Sequence, residues 1–443
     1  MRGNAVRFCR GDDARPMALP KVIPEIVSQH AEEAALCWLW RDRGVGEPHY
    51  SLHDLAHLDH QLEAHLDGLR IAGEEGWAEC EAQLRWGAPG EFFSAAVLAC
   101  ESPGKRPIED VVERACEKDD LLRAAASALG WHSLDIAGPF IGNLANDSDP
   151  RGRRMGIAAA AIQRYDLGDA LRTALADEDG GFRERALRAI GELGRTDLVD
   201  AAREQVTGDD RACRAAAAWS MARLVGRDRS LEPNVIMALR DAVENACEGS
   251  DRCLRALVCR VEPWAARELI HTWSIATSTA RSAMTAAGLL GDPELMVWLI
   301  DRLDTPPLAR LAGEAITMIT GLALDERPFE GEWPEGFLAG PTEDPEDENV
   351  AMDPDENLPW PSRQAVADWW AKHCGDFTPG SRYLLGRPIT EACLEEVLRH
   401  GYQRQRAAAA LELAIRRPGQ PLFEVRAPGP RQQELHGLKW TRR

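Results

Sequence analysis

Alanine-rich amphipathic segments recur along most of the chain. SAAVLACE (94–101), RAAASALGW (123–131), GIAAAAIQRY (156–165), RALRAIGELG (185–194), RAAAAWSMARLVG (214–226), CLRALVCRVEP (253–263), SAMTAAGLLGDPE (282–294) and GEAITMITGLALD (313–325) all place small and large apolar residues at helical spacing. One position near the end of each serves as an anchor: Leu98, Leu129, Ile162, Ile190, Met221, Val258, Ala287 and Thr320. The gaps between anchors are 31, 33, 28, 31, 37, 29 and 33 residues. That spacing accommodates one helical hairpin per unit. A single hairpin cannot bury both of its faces, so units of this kind stack into a solenoid.

The stretch DALRTALADEDGGFRERALRAIGELG illustrates one unit. It predicts a first helix over Asp169–Ala176, a turn over Asp177–Gly181 and a second helix over Phe182–Leu193. Gly194 then stands where a left-handed residue ends the helix. Alanine on the second helix lets neighbouring backbones approach closely. No convincing period-2 run with hairpin turns is present, so strands are not expected.

Both ends depart from the repeat. Residues 22–43 read as one helix. Ser51 caps a second, with Asp54 at the third position as a capping box, and Leu52, Leu55, Leu58, Leu62, Leu66 and Leu69 form its core stripe. A third helix is expected through Trp77–Trp86. Residues 21–90 therefore form a helical cap and 91–324 the repeat array, while 1–20 have the composition of a disordered tail, and translation starting near Met17 fits equally well. Residues 325–360 are rich in proline, glycine and acid, which excludes a long helix. Residues 361–443 are a C-terminal helical cap followed by an extended tail, expected to pack along the last helices.

Charge refines this division. The 443-residue chain carries a net charge of −20. Residues 325–360 hold 13 acids and one base, whereas 361–443 hold 14 bases and eight acids. The remaining 324 residues carry −14. A duplex-binding protein needs a Lys/Arg surface to displace counterions, so nucleic acid is excluded as an expected partner. No apolar run approaches 18 residues, so no membrane-spanning helix is expected. The 11 cysteines include no C-x-x-C pair, which points to free thiols in a reducing compartment, the cytoplasm.

Candidate chemistry is sparse. His53, His57 and His60 share one helix face, but the leucine stripe turns that face away from the core, and a polar surface is the expected reading. The chain has neither H-E-x-x-H nor any His-Glu dipeptide. No metal or cofactor is expected, and phosphate loops and nucleophile signatures are missing. Carboxylates at the inter-helix turns (Asp147/Asp149, Asp177/Glu178/Asp179, Asp209/Asp210, Asp292) are expected to cap the following helices. In the acidic segment, Asp353, Asp355 and Glu356 belong either to a solvated disordered loop or to a contact with bases. Arg382, Arg387, Arg404 and Arg406 lie nearby in sequence, and Arg suits carboxylate pairing. Adjacent Trp369 and Trp370 cannot both face one core stripe, so either one anchors a partner or both are wedged between packed layers. These nine residues are the candidate partner-binding set.

The second-helix motif, ending in L-G or G-x-L-G as at Ile190–Gly194, resembles HEAT repeats of the short-unit bacterial kind. The fold expected is an all-α, HEAT-like right-handed solenoid. Two terminal runs are more specific. HAEEAALCWLWRD…PHYSLHDLAHLDHQLEAHLDGLRIAGEEGW (30–77) and WPSRQAVADWWAKHCGDFTPGSRYLLGRPIT…GYQRQRAAAALELA (360–414) resemble an uncharacterised proteobacterial family of HEAT-repeat proteins. Members often stand among type VI secretion genes, beside spikes and effectors. The resemblance implies a cytoplasmic adaptor or chaperone-like accessory protein whose partner is a spike, effector or toxin, and it implies no catalytic residues. A HEAT-scaffold enzyme of lyase or modifying type, with its site on the concave face, is the alternative. An immunity-type protein that occludes a toxin is a further one.

Overall fold

The computed structural model describes residues 22–102, 108–342, 348 and 350–438. The expected tail at 1–20 lies outside them. Three helices, α1 (Pro24–Gly44), α2 (Leu52–Ala72) and α3 (Glu74–Gln83), form the N-terminal cap. Helix α4 (Pro89–Glu101) packs on α1 and opens the array. Seven hairpins follow: α5/α6 (Ile108–Ala115, Asp119–Trp131), α7/α8 (Leu134–Ala145, Pro150–Ile162), α9/α10 (Asp169–Ala174, Gly180–Leu193), α11/α12 (Val199–Gln205, Arg211–Leu224), α13/α14 (Pro233–Glu244, Ser250–Arg260), α15/α16 (Pro263–Ile275, Thr277–Leu290) and α17/α18 (Met296–Arg302, Pro306–Thr320). The C-terminal part comprises α19 (Arg363–His373), a two-residue-per-strand hairpin β1/β2 (Tyr383–Leu384, Arg387–Pro388), α20 (Glu391–His400), α21 (Gln403–Arg416) and α22 (Gly429–Leu435). This is an all-α solenoid, and no helix among the described residues is long and apolar enough to cross a membrane.

All eight anchor positions fall in consecutive second helices, α4 to α18, each of which packs against the next to form one layer. Its interior is alanine at near-zero exposure, for example Ala186, Ala189, Ala217, Ala218, Ala286 and Ala287. Close approach is what alanine permits, and it lets many weak contacts accumulate. Buried residues of α8 contribute to two core clusters, one running from Val27 and the other reaching Ile415, so the core is a continuous column.

The turn carboxylates cap as expected. Asp149, Asp179 and Asp210 accept from the N–H groups of Arg151, Phe182 and Cys213. An arginine ladder adds to them. Arg153, Arg183 and Arg214 each donate to carbonyls of their own preceding turn, and each faces an aspartate of the next unit (Asp177, Asp210 and Asp241 at 3.1, 3.6 and 3.7 Å). The unit therefore repeats its polar contacts as well as its core.

The caps carry two outcomes. Ser51 and Asp54 form the expected capping box, and the leucine stripe is buried except at Leu58, which is half-buried. The first helix of the model unit ends at Ala174, two residues early, and the second begins at Gly180, because Asp179 rather than a later residue supplies the N-cap.

The C-terminal tail departs most from expectation. It leaves the last helices and returns to the first. Leu385 N–H bonds to Met318 O and Tyr383 N–H to Gly291 O, at the ends of α18 and α16. Further on, Arg223 of α12 donates to Pro418 O and Gln420 O. Leu422 N–H then meets Glu192 O of α10, and Arg431 donates to the carbonyls of Gly130, Trp131 and His132 at the end of α6. Finally α22 packs on α2. From α12 onward the strap thus crosses the C-terminal ends of second helices in reverse order, α12, α10 and α6. Those ends present carbonyls without intrahelical partners, which a passing chain can satisfy. Gly194 has φ +77°, and a Cβ there would lie 2.6 Å from Gln420 O, so the glycine both ends α10 and makes room for the strap.

Candidate functional site

The strap delivers α21 to the inner side of the array, where it packs on α12 and α14. Ala408–Ala410 and Leu411 of α21 join the core of the repeats. At its start, Arg404 donates to Gly46 O in the N-terminal cap at 2.8 Å and to Glu314 of α18 at 2.9 Å. One guanidinium therefore spans the first and last parts of the solenoid. An array whose ends come that close is strongly curved around its second-helix layer, and its concave side is occupied by its own C-terminal helix.

Beside Arg404 a cavity of about 390 Å³ remains. Its walls are α14, α16 and α18, its rim Gly46 and Pro354–Asp355. Three arginines and three carboxylates line it. Arg281 holds Asp355 through two bonds of 2.8 and 2.7 Å, and Arg404 holds Glu314. Arg255 has no direct ion pair among the described residues, and burial pulls its pKa down, opposed by Asp251 and Glu314. Burial likewise pushes the Glu314 carboxyl up, against the pull of Arg404. Neither histidine nor cysteine stands among the lining residues. The arrangement suits holding a small polar or anionic group.

The acidic segment is ordered where it meets the array, which corrects the solvated-loop reading for Asp353–Leu358. Its bases are also not those expected. Arg310 of α18 lies over the rings of Trp333 and Trp360 at 5.1 and 5.4 Å and donates to Asp353 and to Asp355 O. Arg281 and Arg310 hold the loop, and Arg382, Arg387, Arg404 and Arg406 make no ion pair with its described residues. The reason is geometric: the array's own arginines face the loop, while the later arginines have followed the strap. Residues 343–347 and 349, with part of the acid run, lie outside the described residues.

The nine candidate residues therefore scatter. Asp355 is 5% exposed and Arg406 wholly buried, so neither is open to a partner. Arg406 bonds to Leu398 O, Gln403 and Gln432, all neutral, and burial takes its pKa down to about 10. Arg382 reaches Leu289 O, Leu290 O and Glu412. Arg387 and Glu356 are exposed. Trp369 and Trp370 are both half-buried and diverge: Trp369 stacks on His373 at 4.7 Å and Trp370 meets Phe377 at 5.3 Å. Sequence reasoning missed Arg255, Arg281, Arg310 and Glu314. The signal was partial: Arg281 is the one charged residue of α16, whereas α14 carries Asp251, Arg252 and Arg260 besides Arg255.

Residues 168–257 match the family model of HEAT repeats. This part of the chain carries HEAT repeats. The match spans α9–α14, whose hairpins bear most of the arginine ladder, and the same packing extends the HEAT-like array from α4 to α18. HEAT arrays serve as surfaces for protein–protein binding. No curated protein matches the chain.

Proposed function

We propose that this HEAT-repeat protein is a cytoplasmic scaffold or chaperone-like adaptor that binds a protein of a type VI secretion apparatus, loading or delivering an effector. The observation that carries the scaffold reading is an apolar stripe on α1. Leu36, Leu39 and Trp40, at i, i+3 and i+4, are 39, 38 and 50% exposed, while the opposite face of α1 is buried in the cap. An exposed tryptophan flanked by leucines is the composition of a binding hot spot, and the concave side is filled in cis. Trp369, Trp370, Arg387 and Glu356 are further surface contacts in this reading. The secretion context rests on the resemblance of residues 30–77 and 360–414.

The enzyme alternative has less support, because two of the cavity's three carboxylates, Glu314 and Asp355, are engaged with arginines. The test is affinity capture from the native host, read by mass spectrometry, with wild type beside Trp40→Glu. Recovery of a spike or effector by wild type and its loss with Trp40→Glu supports the proposal. Recovery of a toxin held as an inactive complex favours the immunity reading. Recovery of no spike, effector or toxin defeats the secretion assignment, and capture unaffected by Trp40→Glu defeats the α1 surface.

A further inference from the structure

The N-terminal cap brings together four side chains that the sequence separates into two groups. His30, Glu33 and Cys37 succeed one another along one face of α1, at i, i+3 and i+7, and His65 faces them from α2. Nδ1 of His30 lies 3.2 Å from Nδ1 of His65. The ligand atoms of Glu33, Cys37 and His65 all lie within 4.8 Å of one another. Cys37 is buried and the other three are half-buried. The ring of His30 is seated over Gly68, where a Cβ would come within 2.5 Å of it, so α2 is cut away at the one place the imidazole needs.

We propose that His30, Glu33, Cys37 and His65 form a tetrahedral site for a divalent transition metal, zinc by ligand preference. Zn–N bonds of about 2.0–2.1 Å at tetrahedral angles place two nitrogens roughly 3.3 Å apart, the separation already found between the two imidazoles. The donors of Glu33, Cys37 and His65, within 4.8 Å of one another, need to close by little more than about 1 Å to tetrahedral spacing, and His30 enters the set through its contact with His65. Charge fits as well. A thiolate and a carboxylate with two neutral imidazoles carry −2, which a dication cancels. Without a cation the same pair is unfavourable: burial and the neighbouring Glu33 push the Cys37 thiol up, and burial with His30 pulls His65 down. A mixed N₂SO set favours zinc over magnesium or calcium, which prefer oxygen. With four protein ligands the site is structural: it ties α1 to α2, the pair on which the strap ends.

The full-length chain is purified, stripped with chelator and titrated with Zn²⁺ or Co²⁺ alone. One zinc per chain is expected, with a higher melting temperature. Cobalt should give the intense visible absorption of tetrahedral coordination and a thiolate charge-transfer band. Cys37→Ser should abolish that band. Glu33→Gln and His65→Asn should lower the melting temperature of the zinc-loaded protein and leave that of the stripped protein nearly unchanged, which separates ligand loss from misfolding. The exposed His53, His57 and His60 supply the control. If His57→Asn removes the zinc and Cys37→Ser does not, the metal belongs to the surface and the proposal fails. Weak octahedral cobalt absorption, or zinc well below one per chain, also overturns it.

Discussion

The carboxylate of Asp59 accepts the backbone N–H of Gly429 at 2.5 Å, joining α2 to the strap across 370 residues of sequence. Arg41 completes the contact. Its Nε donates to Asp59 at 3.0 Å, and its Nη2 donates to Arg426 O and Ala427 O, at 2.5 and 2.8 Å. Burial pushes the Asp59 carboxyl up, against the pull of Arg41 and Gly429. Asp59→Ala leaves a buried guanidinium without its anion, at a cost of about 3–5 kcal/mol. The expected result is a lower melting temperature and early proteolytic cleavage within 418–438. An unchanged digestion pattern would mean that the clasp does not hold the strap.

The strap should also release in acid. Glu192 is buried; burial opposes its ionisation, but Arg185, Arg188 and Arg164 hold its pKa well below the carboxylate range. Glu412 behaves alike: burial raises its pKa, while Arg382 and Arg227 bring it down overall. A depressed folded-state pKa stabilises at pH above the unfolded value, about 4.3, and that contribution disappears as pH falls through the folded value. Denaturant unfolding from pH 7 downward should therefore lose stability below pH ~4.3. Glu192→Gln should be less stable at pH 7 and show a shallower acid dependence; an equally steep dependence would count against this carboxylate.

At the end of α16 a different constraint operates. Gly291 has φ +72°, and a Cβ there would stand 2.1 Å from Tyr383 O. Gly291→Ala combines left-handed backbone strain with displacement of the strap, a cost of about 2–4 kcal/mol. Hydrogen exchange should accelerate in residues 381–388 while α4–α8 stay protected. Uniform acceleration would instead indicate a global effect.

Arg310 organises the acidic segment through two aromatic faces and Asp353. Arg310→Ala should expose Trp360, beside the already exposed Trp333, shifting tryptophan emission to the red and costing about 3 kcal/mol. Arg310→Lys should rescue little, because an ammonium lacks the planar fork that spans ring and carboxylate. Full rescue by lysine would reduce the site to a point charge.

Among these contacts, the repeats were the legible part. Burial at i, i+3 and i+4 is a local property of each helix, so the alanine segments, Gly194 and the turn aspartates could be read one unit at a time. The charged cavity was half legible: Asp355 and Arg404 stood out by composition, but Arg281, Arg255 and Glu314 looked like ordinary surface charges on the sequence. The histidines show the same limit. His53, His57 and His60 cluster in sequence and face solvent, whereas His65 meets His30 only because α1 packs against α2.

By itself, then, the sequence determined an all-α repeat array with distinct ends, its unit length and its capping chemistry. Only the tertiary structure decided that the tail returns to the first helices and that the concave side is filled from within. The strap has no periodicity to announce its route. It is held by arginines donating to backbone carbonyls, Arg223 of the array to the strap and Arg431 of the strap to the end of α6, and every residue on either side has a carbonyl to offer. Which of them is met depends on the curvature that the stacked helices accumulate over the whole array.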